Sequence, residues 1–254
     1  SSWGGAGYSM TVFEAADGSL SRTASSNATQ WGIRGWVDGK EGPGYREIRR
    51  LTKELNLHTI CEEARCPNVW ECWNSRTATF LILGDICTRR CHYCAVTTGR
   101  PHPLDEAEPE RVAAAVKALD LRHAVLTSVN RDELPDGGAR IFAETIRAVR
   151  RELPACTVEV LIPDFLGDEA ALETVLAAQP DILNHNIETV PRLFASVRPQ
   201  GRYLLSLALL QAASRRGSVT KSGLMVGLGE TREEVLAVMR DLRGAGCLIG
   251  SIGQ

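Results

Sequence analysis

The stretch TFLILGDICTRRCHYC, residues 79–94, decides how the fold is read. Thr79–Leu83 is a short apolar run of strand length, which predicts a strand buried on both faces. Cys87, Cys91 and Cys94 follow at once as C-x3-C-x2-C. In a parallel α/β fold the loop after a strand's C-terminal end faces the active site, so this spacing puts three thiols where chemistry is done. Three thiolates on one short loop can hold three irons of a 4Fe–4S cube and leave the fourth open to a chelating ligand. Structural zinc is the competing reading; it prefers four ligands and paired C-x2-C hairpins.

Downstream, the pattern alternates. Strands are predicted at Ala124–Val129, Val158–Ile162, Ile182–Ile187, Leu224–Leu228 and Leu248–Ile252. Between them lie helical faces: Val112, Val116 and Leu119 after Pro109; Phe142, Ile146 and Val149; Leu172, Val175 and Leu176 after the N-cap candidate Asp168. Thr231 and Glu234 make a capping box ahead of Val235, Val238, Met239 and Leu242. Such alternation means a parallel sheet with right-handed crossovers. Six units suit a barrel or an open, partial barrel, and a doubly wound sheet is the rival that periodicity alone does not separate.

Upstream, Tyr45, Ile48, Leu51 and Leu55 recur at helical spacing and predict a helix ending before Leu57. Residues 61–78 hold three further cysteines and read as a folded loop, so 45–78 form an N-terminal lobe and 79–254 the catalytic α/β part. Residues 1–44 read as disordered or extended. Residues 1–30 lack the apolar core of a secretory signal, and Arg22 as their sole basic residue is weak support for a transit peptide.

Composition bounds the function. The 254 residues carry a net charge of −2, with 44% hydrophobic and 24% charged side chains. That suits one large domain, able to bury roughly 70–75% of its unfolded surface. No basic stripe invites nucleic acid, and no apolar run approaches the ~20 residues of a membrane span. Of eight cysteines, six lie between Cys61 and Cys94. A secreted disulfide framework spreads its cysteines; a tight cluster indicates a metal or iron–sulfur site inside a cell.

CTRRCHYC, with Tyr93 just before its last cysteine, resembles the signature of the radical S-adenosylmethionine superfamily. Cys61, Cys66 and Cys72, as C-x4-C-x5-C within CEEARCPNVWECW, resemble the auxiliary-cluster motif of the lipoyl synthase family. TSVNRDELPDGGA (127–139), IPDF (162–165), NHNIETVPRLF (184–194) and TKSGLMVGLGET (220–231) extend that resemblance over roughly residues 45–254. The resemblance implies a partial (β/α)6 TIM-like barrel of the radical SAM type with an N-terminal cysteine-bearing extension.

It also implies an activity. The family inserts sulfur at carbons 6 and 8 of an octanoyl chain held by an amide on a carrier domain. Those C–H bonds are unactivated and no side-chain base reaches them, so the cofactor must supply a radical. The implied cofactors are S-adenosyl-L-methionine and two 4Fe–4S clusters. Cys87, Cys91 and Cys94 would hold the first, and Cys61, Cys66 and Cys72 an auxiliary cluster consumed as the sulfur source. Implied S-adenosylmethionine contacts are Ser128, Asn130 and Arg131 for the methionine end, Glu188 for ribose hydroxyls, Arg198 for the carboxylate and Met225 for an adenine wall. Implied partners are octanoylated carrier domains (2-oxoacid dehydrogenase E2 subunits and the glycine cleavage H protein) and an electron donor such as ferredoxin or flavodoxin. The expected location is a bacterial cytoplasm, or a mitochondrial or plastid interior in a eukaryote.

Other candidates are weaker. His58, His92, His102 and His123 lack ligand spacing, and His185 suits either a cavity wall or a satisfied interior histidine. Cys156 and Cys247 read as small core residues. Gly227 and Gly229 do not complete a dinucleotide fingerprint, because Arg232 breaks it. Leu248 and Ser251 stand where the family has Asp and Thr, and its Arg-Ser-Ser segment, which supplies the auxiliary cluster's fourth ligand, lies beyond Gln254. The rival expectations are a shortened chain that cleaves S-adenosylmethionine with little product, an iron–sulfur scaffold, and a sulfur-inserting enzyme of the biotin synthase kind. The C-x4-C-x5-C motif argues against the last.

Overall fold

A computed structural model describes residues 10–14, 20–23, 46, 49–50, 72–73 and 75–253. The helix expected from Tyr45 to Leu55 lies outside the described residues except for Arg46, Arg49 and Arg50, which are helical; Cys61 and Cys66 also lie outside them. The strands are β1 (Met10–Glu14), β2 (Leu20–Thr23), β3 (Thr77–Ile82), β4 (Ile86–Cys87), β5 (Thr97–Thr98), β6 (His123–Ser128), β7 (Thr157–Leu161), β8 (Ile182–Asn184), β9 (Thr220–Met225) and β10 (Ile249–Gly253). The α-helices are α1 (Glu108–Ala118), α2 (Ala139–Glu152), α3 (Glu169–Leu176), α4 (Phe194–Val197), α5 (Tyr203–Arg215) and α6 (Arg232–Gly244).

The chain forms two compact units, one of residues 40–90 and 94–183 and the other of 1–39, 91–93 and 184–254. In the first, β3, β6 and β7 pair in parallel, with Phe80 opposite Leu126 and Leu126 opposite Val160. All three of these side chains are fully buried, as the largely apolar strand segments lead one to expect. Val112 and Val116 of α1, and Phe142, Ile146 and Val149 of α2, complete this core. Asp168 caps α3 by accepting the N–H groups of Ala170 and Ala171, as its position foretold. Gly138 opens α2 at φ 91°, and a Cβ there would lie 2.3 Å from Leu83 Cδ1; only glycine fits this approach.

In the second unit β9 and β10 are parallel, β1 runs antiparallel to β10, and β2 antiparallel to β1. Where the sequence suggests a disordered or extended segment, residues 10–14 and 20–23 thus form a two-stranded ribbon. Ile187, Phe194, Leu210, Leu224, Val238 and Leu242 form its core, and Phe194 meets Tyr203 edge to face at 5.7 Å. The capping box of Thr231 and Glu234 forms in full. Helix α5 has no counterpart among the helices expected from periodicity. Its segment YLLSLALLQAASR is apolar nearly all round, so no single face stands out. The strand expected over 182–187 ends at Asn184, although Glu188 still makes a bridge to Leu224.

Candidate functional site

The cysteine loop leaves β3 and is tied down by its backbone. Within the first unit, Thr88 donates its N–H and its hydroxyl to the Asn130 carbonyl at 3.1 and 3.0 Å. The Asp132 N–H returns to Thr88 Oγ1 at 3.2 Å, and Gly99 N–H donates to the Cys87 carbonyl at 3.0 Å. The Cys87 sulfur accepts the N–H groups of Asn130 at 3.3 Å and Arg89 at 3.4 Å.

Arg89 extends into the protein, only 2% exposed. Its Nε and Nη2 grip Asp132 at 2.7 and 2.8 Å, and Nη1 and Nη2 grip Asp164 at 2.8 and 2.6 Å. Burial alone would lower this guanidinium's pKa, but the bonds to Asp164 and then Asp132 more than reverse it. Asp164 also accepts the Leu166 N–H at 3.0 Å, which steadies a turn where Leu166 sits at φ 56°. Nothing in the periodicity singles out Arg89, Asp132 or Asp164. Their only signal was membership of the family-like segments CTRRC, NRDEL and IPDF.

The expected ligand contacts after β6 divide. Ser128 Oγ and Asn130 Oδ1 are buried and have no hydrogen-bond partner among the described residues. Arg131 gives its donors to the protein itself: to the Leu83 carbonyl at 2.8 Å, the His102 carbonyl at 2.9 Å and Glu133. A buried guanidinium needs acceptors, and strand-end carbonyls provide them. Beside these loops a cavity of about 370 Å³ is lined by Arg131, Asp132, Pro163, Phe165 and Leu166.

In the second unit, Cys91–Tyr93 joins residues 184–254, with the His92 N–H donating to the Val197 carbonyl at 2.9 Å. The Tyr93 hydroxyl hydrogen-bonds Glu188 and Cys91, and burial followed by the Glu188 charge pushes its pKa up. Burial pushes the Glu188 carboxyl above its ordinary value, against the opposing pull of Arg198, Asn186 and Tyr93. Glu188 sits at φ 70°, a left-handed conformation that costs a non-glycine residue on the order of 1–3 kcal/mol. Two backbone bonds hold it there: its N–H to Gly223 O at 2.9 Å, and Met225 N–H to its carbonyl at 2.8 Å. Gly223 makes room, since a Cβ would lie 2.7 Å from Asn186 Oδ1. Arg198, 6% exposed, donates to the Asn186 carbonyl at 3.1 Å. Met225 closes β9 half-buried.

The weaker candidates resolve. His185 is buried with Nε2 2.9 Å from Ser206 Oγ, a satisfied interior histidine. His92 and His102 are exposed, and His123 pairs with Thr157 at 2.7 Å. Cys156 and Cys247 have thiol pKa values pushed up to about 11 by burial, as unreactive packing residues should. Cys72 is partly exposed next to Trp73, which is fully buried.

Residues 81–242 match the Radical SAM superfamily. The lipoyl synthase of Rubrobacter xylanophilus is 62% identical over 227 residues, covering 88% of this chain and 71% of that protein. The chain belongs to the lipoyl synthase family. The lipoyl synthase of Chloroflexus aurantiacus is 61% identical over 215 residues, covering 84% of this chain and 70% of its own. Among solved structures, the hydrogenase maturase HydG from Carboxydothermus hydrogenoformans superposes with a TM-score of 0.56 at 18% identity, over 85% of this chain and 57% of that one. Methylornithine synthase gives 0.54 at 16%, over 85% and 65%. At those identities the likeness speaks for the fold alone, the α/β, mostly parallel TIM-barrel type of radical SAM enzymes. Membership implies S-adenosylmethionine and a 4Fe–4S cluster.

The residues present suit that group. The radical SAM signature puts three thiols on one loop, one sulfur already takes the peptide N–H groups of Arg89 and Asn130, and the buried Asn130 Oδ1 and Ser128 Oγ lack partners among the described residues. Among the described residues no three His, Cys, Asp or Glu side chains stand in metal-binding geometry. No helix among them is long and apolar enough to cross a membrane.

Proposed function

We propose that the chain inserts two sulfur atoms, at carbons 6 and 8, into an octanoyl group carried on a lipoyl domain. The observation that carries this reading is identity above 60% to lipoyl synthases over most of the chain. Cys87, Cys91 and Cys94 hold the cluster that binds S-adenosylmethionine, and Cys61, Cys66 and Cys72 hold the sacrificial auxiliary cluster. A cluster held at the first site would supply the electron for reductive cleavage of S-adenosylmethionine to methionine and a 5′-deoxyadenosyl radical.

The chain's own residues bind and orient. The unpartnered Ser128 Oγ and Asn130 Oδ1 face no competing protein bond, so a ligand that satisfies them regains the cost of burying two polar oxygens. Glu188 accepts the ribose hydroxyls, Arg198 takes the carboxylate and Met225 supplies apolar wall. Arg131 acts one step back, holding the loop ends through Leu83 and His102. The partners are octanoylated 2-oxoacid dehydrogenase E2 and glycine cleavage H domains, with a ferredoxin or flavodoxin as electron donor, in the cytoplasm.

Anaerobic reconstitution tests the reading. Two cubes of four irons give about eight irons per chain, and addition of S-adenosylmethionine, reductant and an octanoylated carrier peptide yields 5′-deoxyadenosine and lipoyl peptide. Zinc as the dominant metal, or 5′-deoxyadenosine without any sulfur insertion, overturns it.

A further inference from the structure

We propose that Arg89 is a positioning residue for the cysteine loop: clamped between Asp132 and Asp164, it fixes the two peptide N–H groups that bond the Cys87 sulfur, and so raises the reduction potential of the cluster. This rests on the reading that Cys87, Cys91 and Cys94 hold a cluster. The Cys87 sulfur accepts N–H groups from Asn130 and from Arg89 itself, at 3.3 and 3.4 Å. Hydrogen bonds to a ligating sulfur draw charge from it and favour the reduced cluster. They act only while the peptides that make them stay in place.

The side chain supplies that constraint. One of the two peptides is that of Arg89 itself, the other, Asn130, lies two residues from Asp132, and Thr88 bonds to both the Asn130 carbonyl and the Asp132 N–H. A guanidinium fork can hold two carboxylates in a plane at once, and four of its donors do so here. Lysine carries the same charge as a point and cannot reproduce two bidentate pairs.

The test compares wild type, Arg89→Lys and Thr88→Val, each reconstituted anaerobically, by potentiometric titration of the cluster's electron paramagnetic resonance signal. The cluster-free chains are compared by the alkylation rate of Cys87, with buried Cys156 as internal reference. Arg89→Lys is expected to shift the potential negative and to speed Cys87 alkylation several-fold while Cys156 stays protected. Thr88→Val should move both readings the same way by less, and it decides the matter by itself if Arg89→Lys does not fold. An assembled cluster with unchanged potential and unchanged Cys87 reactivity overturns the clamp. A wild-type chain that takes up no cluster overturns the underlying reading instead.

Discussion

The loops after β6 and β7 and the segment around Glu188 handle charge in opposite ways. In the first, and in the cysteine loop bonded to them, Arg89 is committed to two aspartates and Arg131 to two carbonyls and Glu133. What remains without a partner there is neutral, the oxygens of Ser128 and Asn130. Around Glu188 the carboxyl is pushed up by burial, against the pull of Arg198, Asn186 and Tyr93, and held in a left-handed conformation. Matched charges build a rigid mount, whereas at Glu188 burial outweighs the neighbouring groups that favour the charged form.

The largest expected effect separates the two. Asp164→Ala leaves a buried guanidinium with one partner fewer, and breaking a buried ion pair costs about 3–5 kcal/mol. Urea unfolding of the cluster-free chain should show that loss. A cost near zero would reduce the clamp to a surface-like pair.

Glu188→Gln should act on binding instead. Loss of a charged acceptor, at about 1.5–3 kcal/mol, weakens S-adenosylmethionine about 10- to 100-fold by equilibrium titration. Both clusters should still assemble. Its stability effect should have the opposite sign to that of Asp164→Ala. The folded-state pKa of Glu188 lies above its unfolded value, so the native state binds the extra proton and this residue's contribution is lost as pH rises. Wild type should therefore lose ground against Glu188→Gln between acid and neutral pH in thermal melts. Parallel curves would mean that the carboxyl is not held at a disadvantage.

Helix caps give a smaller contrast. Asp168→Ala and Thr231→Ala should each cost about 1 kcal/mol in denaturant unfolding. Glu234, beside Arg192 and the Thr231 N–H, has its pKa lowered to about 2, so its stabilisation is present above the ordinary carboxylate range and fades as pH falls toward 2. Smallest of all, the native-state alkylation of Cys156 should keep rising up to pH about 11, where an ordinary thiol has already levelled off.

Much of this was legible in order along the chain. Thr79–Leu83, Ala124–Val129 and Val158–Ile162 announced β3, β6 and β7 because strands covered on both faces are mostly apolar. Caps at Asp168 and Thr231 were legible because a cap is a contact over three residues. Helix α5 was not, since its apolar residues surround the axis, and the partner of its Ser206 is His185, twenty-one residues away.

The sequence by itself determined the family, the two cysteine motifs and the alternation of strand and helix, all of which are local patterns of residue type and spacing. Only the tertiary structure decided what the arginines do. Arg89, Arg131 and Arg198 are indistinguishable as letters, each able to meet a ligand carboxylate. Which acceptors come within 3 Å depends on strand ends 43 and 75 residues apart being brought to the same place, as Asp132 and Asp164 are brought to Arg89. A guanidinium buried there must satisfy its donors with whatever the fold presents, and that choice is made by packing at long range rather than by the local sequence.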